Sequence, residues 1–239
     1  MFLNPNLGAA LDRIEERAAD VRRAFTGGAL PQRDDIATAG PTTYFTLDPL
    51  SVSAPEGTYF ITRDARGDLG YTRDGSFALR DGRLVDEGGN AVQGANPDGR
   101  LTDVAIDPVD GVLARAGDER IESDGTLSYS RGIVDPRNAK SQLRRFAAGR
   151  LALARFPAGT RMISTDGLAY RPSSGVAAEL GVPTANGMGA LSPMHRDRSR
   201  IDVDRSLLRL KEAYMAFDAL HAAESAKANL GKTAMDLVK

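Results

Sequence analysis

Few residues in this chain are of a type that does chemistry, and their spacing is unhelpful to catalysis. His195 and His221 are its only histidines, and neither lies in a pattern such as HExxH that would give an ion ligands at helical spacing. His221 falls on a predicted helix and His195 at the edge of a Gly/Pro-rich stretch, so neither is read as catalytic or metal-ligating. Cysteine is absent, which closes thiolate catalysis, thiolate metal sites and disulfides together. No GxSxG elbow presents a nucleophilic serine, and "GMGALS" from residue 187 misses both the dinucleotide and phosphate-loop patterns. Carboxylates are plentiful at Asp74, Asp81, Asp86, Glu87, Asp98, Asp107 and Asp110, and two of them at the right separation could form a glycosidase pair. Most stand beside glycine or in turn sequences, where a short carboxylate accepts hydrogen bonds from its own backbone. The expectation is a non-enzymatic protein with no cofactor and no metal.

Charge narrows the partners. Lys and Arg total 31 against 32 Asp and Glu, a formal net charge of −1, and the signs are interleaved. A nucleic-acid surface needs clustered, unneutralised cations, so no nucleic-acid partner is expected. Arg144, Arg145, Arg150 and Arg155 gather in "SQLRRFAAGRLALARFP" and read as a solvated strand face or a subunit contact. No stretch reaches the ~18 apolar residues of a membrane span, so no membrane insertion is expected. The N-terminus lacks a basic region, an apolar run and a small-residue cleavage site, so export, if it occurs, leaves that end in place.

The elements that would position these residues are legible from periodicity. Leu3, Leu7, Leu11, Ile14, Ala18, Val21 and Phe25 recur every three or four residues, a narrow apolar stripe of coiled-coil type. "TGGALP" from Thr26 ends that helix. From Gly57 the period changes to two, and "YTRDGSFALRDGRLVDEGGNAVQG" (71–94) carries turn signals at Asp74-Gly75, Asp81-Gly82 and Gly88-Gly89-Asn90. Such signals between short apolar runs predict a β-meander. They continue to about residue 175, as in "NPDGRL", "VDGVL" and "ESDGTLSYS". Val203, Leu207, Leu210, Tyr214, Phe217 and His221 then mark a long C-terminal helix capped by Asp202 or Asp204. After His221 its stripe slides to Leu220, Ala223, Leu230, Ala234 and Leu237.

The predicted organisation is an N-terminal helix (1–30), a connector (31–56), an all-β domain (57–175), a Gly/Pro/Ala-rich linker (176–198) and a C-terminal helix (199–239). The fold class is a mainly β central domain, meander or β-sandwich-like, flanked by terminal helices that form a coiled-coil-like assembly region. Narrow stripes need partners, either each other or copies in neighbouring subunits. Leu7, Leu11, Ile14, Val21, Leu207, Leu210, Tyr214, Phe217 and Leu220 are the expected subunit-contact residues.

At this point a family resemblance enters. Residues 57–94 resemble the region of flagellar rod and hook proteins in which a strand precedes "YTRDGSF", a "G-LV" strand and a "G--V-G" turn. Residues 120–130, 151–157 and 181–193 are similar to that family's later β elements and glycine-rich connector, and 199–238 to its capped terminal helix. The resemblance implies a structural subunit of the bacterial basal-body rod, proximal or distal. It would be exported by the flagellar type III apparatus without a cleaved signal, and its partners would be itself and other rod or hook subunits. Residues 22–35 depart from the family, whose first helix leads into an Asn-rich turn; no asparagine lies between Asn6 and Asn90. A non-polymerising relative, acting as a scaffold, cap or binding module through its β domain, is the alternative.

Overall fold

The computed structural model describes residues 5–31, 43–96, 98–106, 118–134, 141–164, 169–173 and 175–237. The chain divides into two compact units. One holds the two helices; the other holds the strands together with the short segment Thr26–Ala29.

In the helical unit, α1 runs Pro5–Arg23 and α2 Val203–Leu237. Pro5 suits the first turn, where an N–H would have no intrahelical acceptor, and Arg22 and Arg23 complement the dipole at the other end. Asp202 caps α2, its Oδ1 accepting from the Arg205 N–H at 3.0 Å. At about 1.5 Å per residue, the 35 residues of α2 make a rod of roughly 52 Å. The two helices pack against each other within one chain.

The β unit begins with β1 (Thr43–Phe45), β2 (Val52–Ser53), β3 (Thr58–Arg63), β4 (Leu69–Thr72), β5 (Ala78–Arg80) and β6 (Arg83–Val85). It continues with β7 (Ala91–Ala95), β8 (Leu101–Asp103), β9 (Arg120–Ile121), β10 (Thr126–Val134), β11 (Ser141–Arg150) and β12 (Leu153–Arg155). The last strands are β13 (Met162–Ser164), β14 (Tyr170–Pro172), β15 (Glu179–Gly181), β16 (Ser192–Pro193) and β17 (His195–Asp197). A ten-stranded sheet runs β13-β14-β4-β3-β7-β6-β5, with β8 beside β7 and β12 bridging β3 to β15. Strands β5 to β8 are consecutive antiparallel neighbours, the expected meander. A three-stranded sheet, β11-β10-β9, forms a second layer.

Phe60 shows why the two layers hold. It lies fully buried among Leu84, Val92, Leu151 and Leu153 of the large sheet and Ile121, Leu127 and Tyr129 of the small one, and meets Phe77 edge to face at 5.1 Å. The next residue, Ile61, points to the other face and packs with Ala152 and Ala154. β3 is thus covered on both sides, which its nearly continuous apolar run "TYFIT" anticipates.

Three expectations change. The segment 176–198, read as a linker, supplies β15, β16 and β17, which pair with β12, β2 and β1; Gly and Pro obscured strands only two or three residues long. The connector 31–56 likewise contributes β1 and β2. Of the turn signals, Asp81-Gly82 is a tight hairpin with positive φ at both residues (49° and 78°). Asp74-Gly75 is not a hairpin. Glycine is needed there because a Cβ would overlap the Val52 carbonyl oxygen, while Val52 donates its N–H to the Gly75 carbonyl at 3.0 Å. "VDGVL", together with Asp107 and Asp110, lies outside the described residues, as does Leu3.

Candidate assembly surface

The predicted apolar stripes split into two faces. On α1, Ile14 is buried and Leu7, Ala18 and Val21 are half-buried, but Leu11 and Phe25 are exposed, the latter at 82%. The buried side of α1 is Ala10, Ile14, Arg17, Asp20 and Arg23. On α2, Ser206 and Ala213 are buried, and Leu210 and Phe217 are half-buried between and beyond them. That stripe has heptad-like spacing, yet its fully buried positions are held by small side chains. The large apolar residues sit beside it in solvent: Leu207 (48%), Leu208 (54%), Tyr214 (50%), Met215 (62%) and Leu220 (37%). Seven-residue spacing puts Leu207 under Tyr214 and Leu208 under Met215, a continuous outward band. His221 stacks on Phe217 at 6.3 Å between ring centroids.

Ion pairing replaces grease at the end of α1. The Arg23 Nη2 meets Asp20 Oδ1 at 2.5 Å, while its Nε donates to the Ala19 carbonyl and its Nη1 to that of Leu30. Asp20 and Arg23 are both buried, so the guanidinium neutralises a carboxylate removed from water. Periodicity in apolar residues alone overlooks this pair.

In the β unit, the distinctive "YTRDGSF" stretch proves to be a tie rather than a catalytic centre. Tyr71 meets Phe156 edge-on at 4.8 Å, and the Thr72 hydroxyl accepts from the Asp74 N–H at 3.0 Å. Arg73 is 3% exposed and Asp197 1%. The Arg73 Nε and Nη2 donate to Asp197 Oδ2 at 2.7 and 2.5 Å, and its remaining donors reach the carbonyls of Ala54, Pro55 and Thr58. The Ser53 hydroxyl donates to the other oxygen of Asp197. Beside this pair, Arg196 Nη2 lies 3.3 Å from both Asp74 Oδ1 and Glu87 Oε1. Two Arg-Asp dipeptides, 73–74 and 196–197, therefore pair crosswise, Arg73 with Asp197 and Arg196 with Asp74.

These environments shift titration. Burial pushes Asp74 up from 3.8 to about 6, against the pull of Arg196 and of the Ser76 N–H bonded to its Oδ1. Burial is the largest single influence on Arg196 and works to lower it, but the attraction and hydrogen bond of Asp74 together with Tyr44 and Glu87 leave the guanidinium above its usual value. At the surface, the hydrogen bond from Arg120 holds Glu122 below the usual range.

The remaining candidates have local roles. Asp86 accepts from the N–H and side-chain amide of Asn90 across the β6–β7 turn. His195 lies in β17, its Nδ1 2.8 Å from the Pro193 carbonyl and its ring 5.7 Å from that of Phe45. The basic cluster disperses: Arg150 binds the carbonyls of Asp124 and Pro183, Arg155 that of Gly187, and Arg145 the Ser128 hydroxyl. The structure thus brings the two helices together and leaves Leu11, Leu207, Tyr214 and Leu220 exposed, while Leu7, Ile14, Val21, Leu210 and Phe217 turn partly or wholly inward.

No curated protein matches the chain significantly. Residues 56–129, from the residue before the Gly57 turn to Tyr129 of β10, match the family model described as the flagellar hook protein FlgE/F/G D1 domain. Over these 74 of its 239 residues the chain is similar to the flagellar rod and hook protein family.

Proposed function

We propose that the chain is a structural subunit of the basal-body rod that assembles through its terminal helices into a helical tube, with the β unit as its decoration. The family match supports a structural role in the flagellum. The observation that carries the finer reading is the outward band Leu207, Leu208, Tyr214 and Met215 on α2, a row of large apolar side chains that the helix pair of a single chain leaves in water. A neighbouring copy that covers it recovers about 25 cal/mol per Å² of apolar surface. Its partners are further copies and other rod or hook subunits, reached by flagellar type III export to the periplasm-spanning rod.

The test is light scattering of the full chain over a concentration series, beside Leu207→Asp/Tyr214→Asp. Both positions are exposed in the single chain, so the variant keeps its fold by circular dichroism. Large or filamentous species formed by the parent chain and lost in the variant are the expected result. A parent chain that stays monomeric at all concentrations, or a variant that assembles normally, overturns the proposal and turns attention to a non-polymerising scaffold role.

A further inference from the structure

The turn that leaves α1 is built into the β unit. The Gly28 N–H donates to the Asp197 carbonyl at 3.0 Å, the Ala29 N–H to that of Thr26 at 3.2 Å, and Ala29 is buried. Gly28, at a φ of +66°, lies so close to the Arg73–Asp74 peptide that a Cβ would fall 2.5 Å from the Arg73 carbonyl carbon and 2.6 Å from the Asp74 nitrogen. At Gly27 a Cβ would lie 3.3 Å from Asp74 Oδ1 and 3.4 Å from Arg196 Nη2. Backbone, without side chains, therefore covers the Asp74 carboxylate.

Among the described residues, the charged groups around that carboxylate are few. From β17, Arg196 approaches Oδ1 at 3.3 Å, and from the turn after β6, Glu87 shares the same guanidinium nitrogen at 3.3 Å. The neighbouring Arg73 and Asp197 neutralise each other. From β1, the Tyr44 ring packs under the Arg198 guanidinium at 5.4 Å.

We propose that this arrangement is a proton-linked latch, in which seating the Gly27-Gly28 turn on Arg73-Asp74 is coupled to proton uptake by Asp74. Covering the carboxylate disfavours its charged form, and lifting the turn returns it to water. Asp74 stands at about 6 with the turn seated, against an ordinary 3.8. The seated form therefore keeps its proton up to about pH 6, whereas an uncovered Asp74 releases it near 3.8. Between those values seating takes up a proton, so the latch tightens as pH falls from about 6 to about 4 and is weakest above 6. If uncovering restored the ordinary value completely, the seating constant would change by roughly 150-fold across that window. When Asp74 is protonated, Arg196 keeps Glu87 as its partner, so no cation is stranded.

Hydrogen exchange on the full chain between pH 4.5 and 7.5, corrected for intrinsic rates, tests this. The amides of Gly28 and Ala29 report the latch, and β3 reports the β unit as a whole. We expect protection at the turn to rise at least about tenfold on going from pH 7 to 4.5, to stay below that of β3 at every pH because the turn lifts without unfolding the sheet, and to hold at its acid level throughout in Asp74→Asn. A flat parent profile, an unchanged slope in Asp74→Asn, or turn protection equal to that of β3 at every pH overturns the proposal. Gly28→Ala supplies an independent readout, because coupling is reciprocal. Its Cβ lifts the turn, and carboxyl NMR should then find Asp74 titrating near its ordinary value; titration still near 6 also overturns the latch.

Discussion

Replacing Arg73 by Met removes the most heavily bonded side chain of the β unit while keeping its length and apolar stem. Arg73 donates to Asp197 Oδ2 through two nitrogens and to the carbonyls of Ala54, Pro55 and Thr58. Without it, Asp197 remains a buried carboxylate held only by the Ser53 hydroxyl among these partners. Breaking a buried pair by removing one member costs about 3–5 kcal/mol, and carbonyls left without donors add about 1 kcal/mol or more each unless water reaches them. A loss of about 5 kcal/mol is expected, comparable to the whole stability of many domains. Native-state hydrogen exchange of the β3 amides measures it in the full chain. Arg73→Lys should recover only part, because an ammonium cannot span a carboxylate and three carbonyls at once. In the double variant Arg73→Met/Asp197→Asn, the penalties should fall short of additivity by about 2 kcal/mol or more, since no charge is then stranded. A cost under about 1 kcal/mol for Arg73→Met, or strictly additive penalties, would refute the assignment of the pair as the tie between β17 and the start of the sheet.

Gly75→Ala should cost more than about 3 kcal/mol because the new methyl meets the Val52 carbonyl, whereas Gly89→Ala, at a φ of 82° with only the end of Arg80 nearby, should cost about 1 kcal/mol; urea midpoints of the two variants decide. Asp74, raised to about 6, makes the β unit most stable below the ordinary carboxylate value, and that contribution is lost as pH rises through about 4 to 6. The loss is at most about 3 kcal/mol, and Asp74→Asn should flatten the dependence in pH-resolved urea titrations. Ala213→Leu should destabilise the helix pair by about 1–3 kcal/mol through overpacking, seen as faster exchange in α1 with the β3 amides unchanged.

Much of the fold was legible because apolar periodicity reports burial, and burial is what sheets and helices have in common. The 35-residue span of α2, its Asp202 cap, the β3 strand and the Asp81-Gly82 hairpin all follow from local rules. Illegible were features whose cause lies elsewhere in the chain. Asp74-Gly75 and Asp81-Gly82 are the same dipeptide, but one is required by the approach of Val52 and the other by its own φ angles. His195 sits in a strand because Phe45, 150 positions earlier, is there to pair with it.

The helices show the same limit with a functional consequence. Apolarity identified Leu207 and Tyr214 as contact residues, yet within one chain the small Ser206 and Ala213 are the buried positions of α2, with Leu210 and Phe217 half-buried alongside. A helix pair packed through small residues needs few large ones, so the large ones are free to lie outside. The stripe read from the sequence is therefore a superposition of two surfaces, one that folds the chain and one left over. Substitutions on the first should act on stability and those on the second on association, and a side chain such as Leu210, on the border of both, is the wrong place to separate them.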